Sequence, residues 1–100
     1  MIDLSQIVGF DWDDGNRWKS AEKHSVSQAE AEQVFADSEL LLAEDVKHSE
    51  EEARYQALGR TVEGRLLHVT FTLRHNQTRI RVISARNMNR KERASYEQKA

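Results

Sequence analysis

The sequence predicts a small α+β domain with an N-terminal strand, two helices, a three- to four-stranded antiparallel sheet and a short C-terminal helix. Three observations support this class. A helix-capping pattern near residue 27 precedes apolar residues spaced three and four apart, as in an amphipathic helix. From residue 40 onward apolar and polar residues alternate, as in strands. One hundred residues with 38% hydrophobic content can form one core, so we expect a single domain over residues 1–100.

The first elements are expected to be a strand and a helix. Residues 7–12 are predicted to form the strand because their large apolar side chains alternate with smaller or polar ones. These side chains are Val8, Phe10 and Trp12. Asp13 or Asp14 is expected to cap the following helix, since a carboxylate can accept hydrogen bonds from its free amides. We expect this helix to end near Lys23 and His24.

Capping boxes mark the start of two further helices. Ser27 and Glu30 have the spacing at which each side chain bonds the backbone amide of the other residue, which predicts a helix over 28–37. Its expected buried side chains are Ala31, Val34 and Phe35. Asn89 and Glu92 repeat the pattern and predict the short C-terminal helix.

Four segments in the second part of the chain are predicted to be strands. A short edge strand is expected at 40–44, and a hairpin joins 54–62 to 65–73 through a turn at Gly64. The last strand is expected at 78–86. The core face of segment 65–73 consists of Leu67, Val69, Phe71 and Leu73. We expect the opposite face of the sheet to be free for binding.

The two parts of the chain carry opposite charge. Residues 1–52 hold 4 basic and 14 acidic groups and residues 53–100 hold 11 basic and 3 acidic groups, giving the overall net charge of −2. Nine of the 11 cations in the second part are arginines, whose planar guanidinium groups suit phosphate. This pattern indicates a phosphate backbone as the partner. The alternative is that the two parts neutralise each other across the fold.

Arginines on the predicted strands can converge on consecutive phosphates of a single-stranded RNA. This group comprises Arg54, Arg60, Arg79, Arg81 and Arg86. Tyr55 and Tyr96 are the aromatic residues expected to be exposed for base stacking. Two such residues do not indicate a long stacking platform.

RNA cleavage without a metal needs proton transfer and cations around the phosphate. His24 is the first candidate for proton transfer because imidazole titrates near neutral pH, and Lys23 adds charge beside it. His48, His68 and His75 are weaker candidates. The sequence lacks a helical zinc pair and the phosphate-loop, dinucleotide-binding and serine-hydrolase motifs. We therefore expect neither a metal nor a cofactor.

Composition favours the cytoplasm. The sequence has no cysteine, which excludes disulfides and thiolate metal sites. No apolar run approaches the roughly 20 residues of a membrane span, and the first residues lack the pattern of a signal peptide. We expect a cytoplasmic protein without membrane contact.

Three stretches, 10–37, 54–74 and 80–98, resemble the BrnT family of type II toxins. The most specific pieces are Lys23-His24 before a capped helix, Leu58-Gly59-Arg60-Thr61, and Ile83-Ser84-Ala85-Arg86 followed by Arg93 and Tyr96. Two positions depart from the family pattern, with Ser20 in place of asparagine and Ser25 in place of glycine. Glycine would suit a left-handed helix cap, so serine at residue 25 is expected to cost about 1 kcal/mol.

The resemblance implies a RelE-like fold and a ribonuclease that halts translation. It also implies neutralisation by BrnA, a ribbon-helix-helix antitoxin, with operator DNA bound only through the antitoxin. We predict that Arg54 holds the scissile phosphate together with Arg81 and Arg86, whose side chains face solvent. Lys23 and His24 are the predicted proton handlers. The other predicted RNA contacts are Arg60, Arg65, Arg74, Arg79, Arg90, Arg93 and Tyr96.

The rival interpretation is a non-catalytic interaction module. Such a module could block a protein target such as a topoisomerase, or act as the co-repressor part of a DNA-binding toxin–antitoxin complex. RNA cleavage by the purified chain separates the two interpretations.

Overall fold

The computed structural model describes residues 2–48 and 51–99, with only the backbone of residue 99. It confirms the α+β class. The elements in chain order are β1 (Gly9–Phe10), α1 (Lys19–His24), α2 (Gln28–Val34), β2 (Leu41–Glu44), a short 3-10 helix (Val46–His48), β3 (Tyr55–Arg60), β4 (Leu66–Arg74), β5 (Arg79–Asn87) and α3 (Arg90–Lys99). Four residues of the domain expected over 1–100 lie outside the described part of the chain.

All the strands belong to one sheet with the order β1-β5-β4-β3-β2. Strands β2 to β5 pair antiparallel, as the alternation of residue types predicts. β1 joins the outer edge of β5 in parallel. The N-terminal strand therefore extends the same sheet, which is mixed rather than wholly antiparallel.

The core lies between one face of the sheet and helix α2. Leu67, Val69 and Phe71 of β4 have no solvent exposure, which confirms the predicted core face of this strand. Ala31 and Val34 of α2 pack against them. α1 buries no residue fully and packs beside β5. Among the described residues, no helix is long and apolar enough to cross a membrane.

A β-bulge in β5 determines which side chains share the sheet face opposite α2, here called the second face. Thr70 pairs with Ser84 and Phe71 pairs with Val82, so one extra residue, at position 83, lies between the two pairs. Arg81 and Arg86 are five residues apart and would lie on opposite faces of a regular strand. The extra residue brings both arginines to the second face.

The expected boundaries of the first strand and first helix are wrong. The strand predicted over 7–12 is reduced to Gly9–Phe10, and Val8 is exposed, because β1 pairs with two residues of β5 before the chain turns away. α1 begins at Lys19 without a side-chain cap. The Asp13 carboxylate instead accepts a hydrogen bond from the amide two residues further on.

The second helix begins as predicted and ends early. Ser27 and Glu30 form the expected capping box. α2 ends at Val34 rather than at residue 37, because the Asp37 carboxylate accepts hydrogen bonds from two backbone amides and turns the chain. Ser25 has φ 56°, which confirms the left-handed cap expected there.

α3 covers one end of the second face, so the expectation that this face is wholly free is wrong. Asn89 and Glu92 form the predicted capping box. Glu92 also lies 3.8 Å from His68 of β4. The Tyr96 hydroxyl donates to Asp37 at 2.6 Å. These contacts bury both His68 and Tyr96.

Candidate nucleic-acid interface

Four arginines lie at the other end of the second face, where β4 ends and β5 begins. Antiparallel pairing sets Arg74 opposite Arg79 and Thr72 opposite Arg81. Side chains paired in this way have Cβ atoms about 5 Å apart. Arg54 lies one residue before β3 and has the same alternation as the second-face residues of that strand. We call Arg54, Arg74, Arg79 and Arg81 the arginine end.

Carboxylates from the acidic part of the chain hold two of these arginines. Arg81 donates to both oxygens of Asp13 at 2.9 and 3.1 Å and lies 3.5 Å from Asp11. Arg74 donates to both oxygens of Glu52 at 3.0 Å. The Arg81 side chain is only 15% exposed, so the expectation that it faces solvent is wrong. At this end the oppositely charged parts do neutralise each other, as the alternative interpretation of the charges predicts.

These hydrogen bonds favour the ionised carboxylates. The bond from Arg81 is the main cause that lowers the pKa of Asp13. The bond from Arg74 lowers the pKa of Glu52, and nearby Arg54 and Arg81 lower it further. Because Arg74 and Arg81 each hold a carboxylate, a phosphate that binds either arginine must displace that carboxylate. Among the described residues, no group of three or more histidine, cysteine or acidic side chains could hold a metal ion.

A histidine lies near the arginine end, on the 3-10 helix that follows β2. His48 Nδ1 is 3.1 Å from both carboxylate oxygens of Asp45. Asp45 is 9% exposed, whereas the His48 side chain is 62% exposed. Burial raises the pKa of Asp45, but hydrogen bonds from His48 and Gln56 outweigh it, so the pKa is lowered overall. A cavity of about 310 Å³ beside the imidazole is lined by Lys47, Glu51, Glu52 and Arg54.

From the sequence alone, His48 is a weaker candidate than His24. The available signal was the spacing of Asp45 and His48, which are three residues apart and can meet within one helical turn. The burial of Asp45 depends on the surrounding fold, which the local sequence does not show.

The covered end of the second face holds a separate group around Arg86. Arg86 donates to both oxygens of Glu92 at 2.8 and 2.9 Å. His68 lies opposite Arg86 on β4, and its Nδ1 has no hydrogen-bond partner within the described part of the chain. Burial lowers the pKa of His68. Arg86 is thus held by a carboxylate, and its side chain, which is 36% exposed, faces solvent only in part.

The predicted proton-transfer residues lie away from the arginine end. Lys23 and His24 are exposed at the end of α1. Arg65 donates to the His24 carbonyl oxygen at 3.2 Å and to Asn87, the last residue of β5, at 2.8 Å. Between Arg81 and Asn87 the strand spans roughly 20 Å, at about 3.3 Å per residue. The structure therefore does not bring Lys23 and His24 together with the arginine end.

Comparison with known families assigns this chain to one of them. Residues 12–92 match the family model described as the ribonuclease toxin, BrnT, of type II toxin–antitoxin systems. The chain belongs to the BrnT family. Its membership makes it a ribonuclease toxin, with a protein antitoxin as its partner. None of the curated proteins matches the chain.

The BrnT match includes the arginine end, Arg86 and Lys23-His24, and it stops before Arg93 and Tyr96. Arg60 is exposed at the end of β3, and Arg90 and Arg93 are exposed on α3. The structure places these three arginines apart from the arginine end, beside the covered part of the second face.

The two tyrosines proposed for base stacking are not exposed. Tyr96 is 3% exposed, and its hydroxyl binds Asp37. Burial and this hydrogen bond raise the pKa of Tyr96 to about 12. Tyr55 is half-buried and packs on Phe71 with ring centroids 5.5 Å apart. The expectation of exposed aromatic rings is wrong for both residues.

Proposed function

We propose that this BrnT-family chain is a metal-independent endoribonuclease that cleaves RNA through attack of a 2′-hydroxyl and thereby halts translation. The observation that supports this chemistry is the arginine end, because one of its four arginines, Arg54, lines a cavity together with a carboxylate-bound histidine. Fixed cations stabilise the negative charge that develops on a pentavalent phosphate. Family membership supports the ribonuclease class, and the arginine end supports the proposed position of the reaction.

Arg54 and Arg81 are the proposed contacts to the scissile phosphate. A phosphate offers two oxygens in the same geometry as a carboxylate, so it can replace Asp13 on Arg81. We propose that Arg86, Lys23 and His24 contact nucleotides of the RNA that lie further from the scissile phosphate, since these residues lie toward the opposite end of β5.

We further propose that the antitoxin is a BrnA-like ribbon-helix-helix protein and that the complex binds operator DNA through it. The excess of 11 basic over 3 acidic groups in residues 53–100 supports an acidic antitoxin segment lying over these arginines. Complex formation should slow amide hydrogen exchange across residues 78–98. Protection confined to residues 1–52 would contradict this placement.

RNA cleavage by the purified chain in EDTA tests the proposed chemistry. We expect products that carry a 2′,3′-cyclic phosphate and a 5′-hydroxyl. A substrate with one deoxynucleotide at the cleavage position should bind with unchanged affinity and stay intact, because it lacks the nucleophile. A requirement for added metal would refute metal independence. Absence of cleavage under all conditions would favour the non-catalytic interaction module.

Two arginine variants test the place of the reaction. Arg81→Ala should lower turnover on the order of 10²- to 10³-fold, because it removes a fixed cation from the developing charge. Arg17→Ala is the control, since Arg17 is exposed and lies outside both arginine groups. It should keep the wild-type rate within twofold. An Arg81→Ala rate within twofold of wild type, in a folded protein, would show that the reaction does not take place at the arginine end.

RNA affinity should also depend steeply on salt. Neutralised phosphates release condensed counterions, and about four contacts to a single strand give a slope near −3 in a plot of log affinity against log salt. A flat dependence between low and physiological ionic strength would contradict phosphate binding by these arginines.

A further inference from the structure

We propose that His48 is the general base of the cleavage reaction and that Asp45 is its positioning residue. In this assignment His48 Nε2 removes the proton from the 2′-hydroxyl of RNA bound in the cavity beside Arg54. The inference rests on the proposed ribonuclease function and assigns a residue to its chemical step.

The contacts of Asp45 set the orientation of the imidazole. Both Asp45 oxygens lie 3.1 Å from His48 Nδ1, and a carboxylate can only accept a hydrogen bond from that nitrogen. Nδ1 therefore carries the proton, and the neutral ring presents the lone pair of Nε2 as an acceptor. The Asp45 amide donates to the Arg54 carbonyl oxygen at 2.8 Å, which ties the 3-10 helix to the segment before β3.

The other histidines lack this combination of a buried partner and an exposed ring. His75 is equally exposed, but its Nε2 is 3.7 Å from Asp11, beyond hydrogen-bond distance. His68 is buried beneath α3. His24 lies at the other end of β5. Within residues 2–48 and 51–99, only His48 joins an exposed imidazole to a carboxylate that is itself almost inaccessible to water.

The surroundings of His48 suit a ribose phosphate. Lys47 and Arg54 contribute positive charge to the cavity, and Glu51 and Glu52 contribute negative charge. Glu52 is bound bidentately by Arg74, which offsets its charge beside an incoming phosphate. The cavity of about 310 Å³ is large enough for part of one nucleotide, and Arg54 of the arginine end lines it.

The proposed step balances without another reactant. His48 Nε2 takes the 2′-hydroxyl proton while the 2′-oxygen forms a bond to phosphorus. The bond between phosphorus and the 5′-oxygen breaks, and the leaving oxygen keeps the electron pair and takes a proton from water. The resulting hydroxide accepts the proton that the imidazolium releases, which restores neutral His48. The products are a 2′,3′-cyclic phosphate and a 5′-hydroxyl.

His48→Ala tests this assignment, with His75→Ala as the matched control because both side chains are 62% exposed beside an aspartate. Under single-turnover conditions with saturating RNA, we expect His48→Ala to lose on the order of 10²- to 10³-fold in rate. RNA affinity should stay within about twofold. Added imidazole should restore part of the lost rate. His75→Ala should keep the wild-type rate and show no response to imidazole.

The pH profile separates proton transfer from a structural role. A general base acts only when it is deprotonated, so the wild-type rate should rise with pH, and His48→Ala should lose this rise. Asp45→Asn should lower the rate and alter the profile while leaving RNA affinity unchanged, because the amide no longer fixes the proton on Nδ1. The charged side chains around the His48 imidazole are those of Asp45, Lys47, Glu51, Glu52 and Arg54.

The possible outcomes are distinct. A His48→Ala rate within twofold of wild type, or a large loss without rescue by imidazole, would overturn the role of His48 while leaving the ribonuclease function in place. A wild-type chain that binds RNA and leaves it intact would overturn both proposals.

Discussion

Gly59→Ala is expected to destabilise the fold because the added methyl group would enter the contact between β3 and α2. A Cβ atom at residue 59 would lie 2.7 Å from Val34 Cγ1 and 2.9 Å from the Val34 carbonyl oxygen. Val34 has no solvent exposure. The methyl group therefore has no space unless α2 shifts away from the sheet.

These distances give the size of the effect. An ordinary contact starts at 3.4 Å, so the Val34 backbone must move by several tenths of an ångström in a closely packed core. Overpacking of this kind costs about 1–3 kcal/mol. Replacing glycine also restricts the unfolded chain, which offsets about 0.4–1 kcal/mol of that cost. We expect a net loss of about 1–2 kcal/mol, which corresponds to a fall in Tm of roughly 5–10 °C for a domain of this size.

Urea and thermal unfolding of Gly59→Ala measure this loss directly. Gly15→Ala is the matched control, because its added Cβ would meet only the ends of the Asp13 and Arg81 side chains, at 3.0 and 3.1 Å. Flexible side-chain ends can shift, so this variant should stay within about 0.5 kcal/mol of wild type. Equal stability of Gly59→Ala and wild type would refute the packing argument.

Three further predictions follow from particular contacts. Ser25→Gly should raise the free energy of unfolding by about 1 kcal/mol in urea titrations, because φ at Ser25 is 56°; unchanged stability would count against strain there. Asp13→Asn should strengthen RNA binding about two- to fivefold in an anisotropy assay by releasing Arg81. Asp14→Asn, with the same change in charge, should have a smaller effect, and equal effects would show that net charge alone matters. The lowered pKa of His68 means that the unfolded chain binds a proton more readily, so stability should fall as pH drops below 6.5. Urea unfolding at pH 7.5 and 5.5 should show this fall in wild type and a smaller one in His68→Leu.

The features predicted correctly from sequence are those set by local patterns. The alternation along β4 identifies Leu67, Val69 and Phe71 as core. The two capping boxes depend on residues three apart, so Ser27 and Asn89 mark their helices reliably. Neither signal requires knowledge of distant parts of the chain.

The features that sequence reasoning missed depend on distant partners. The Asp13 carboxylate binds Arg81, 68 residues away, and does not cap α1. Tyr96 is buried because its hydroxyl reaches Asp37, 59 residues away. The bulge at Ile83 brings Arg81 and Arg86 to one face, and regular alternation would have separated them.

The candidate site also combines features that the sequence indicates with features that depend on distant partners. Composition alone indicates a surface rich in arginine, and the strand positions of these residues place several of them on one face. The carboxylates that hold Arg74 and Arg81 come from the acidic part of the chain, and composition indicates such neutralisation only as an alternative, without identifying the pairs. The pairing of His48 with Asp45 becomes informative only once Asp45 is known to be buried.

Photo-crosslinking tests most directly whether the arginine end is where RNA is bound for cleavage. The probe is an RNA with 4-thiouridine next to a single deoxynucleotide that blocks cleavage, and the crosslinked peptides are identified by mass spectrometry. If RNA is bound there, crosslinks should fall within residues 44–56 and 72–82, which surround Arg54, Arg81 and His48. Crosslinks confined to residues 17–27 and 86–99, around His24 and α3, would contradict it.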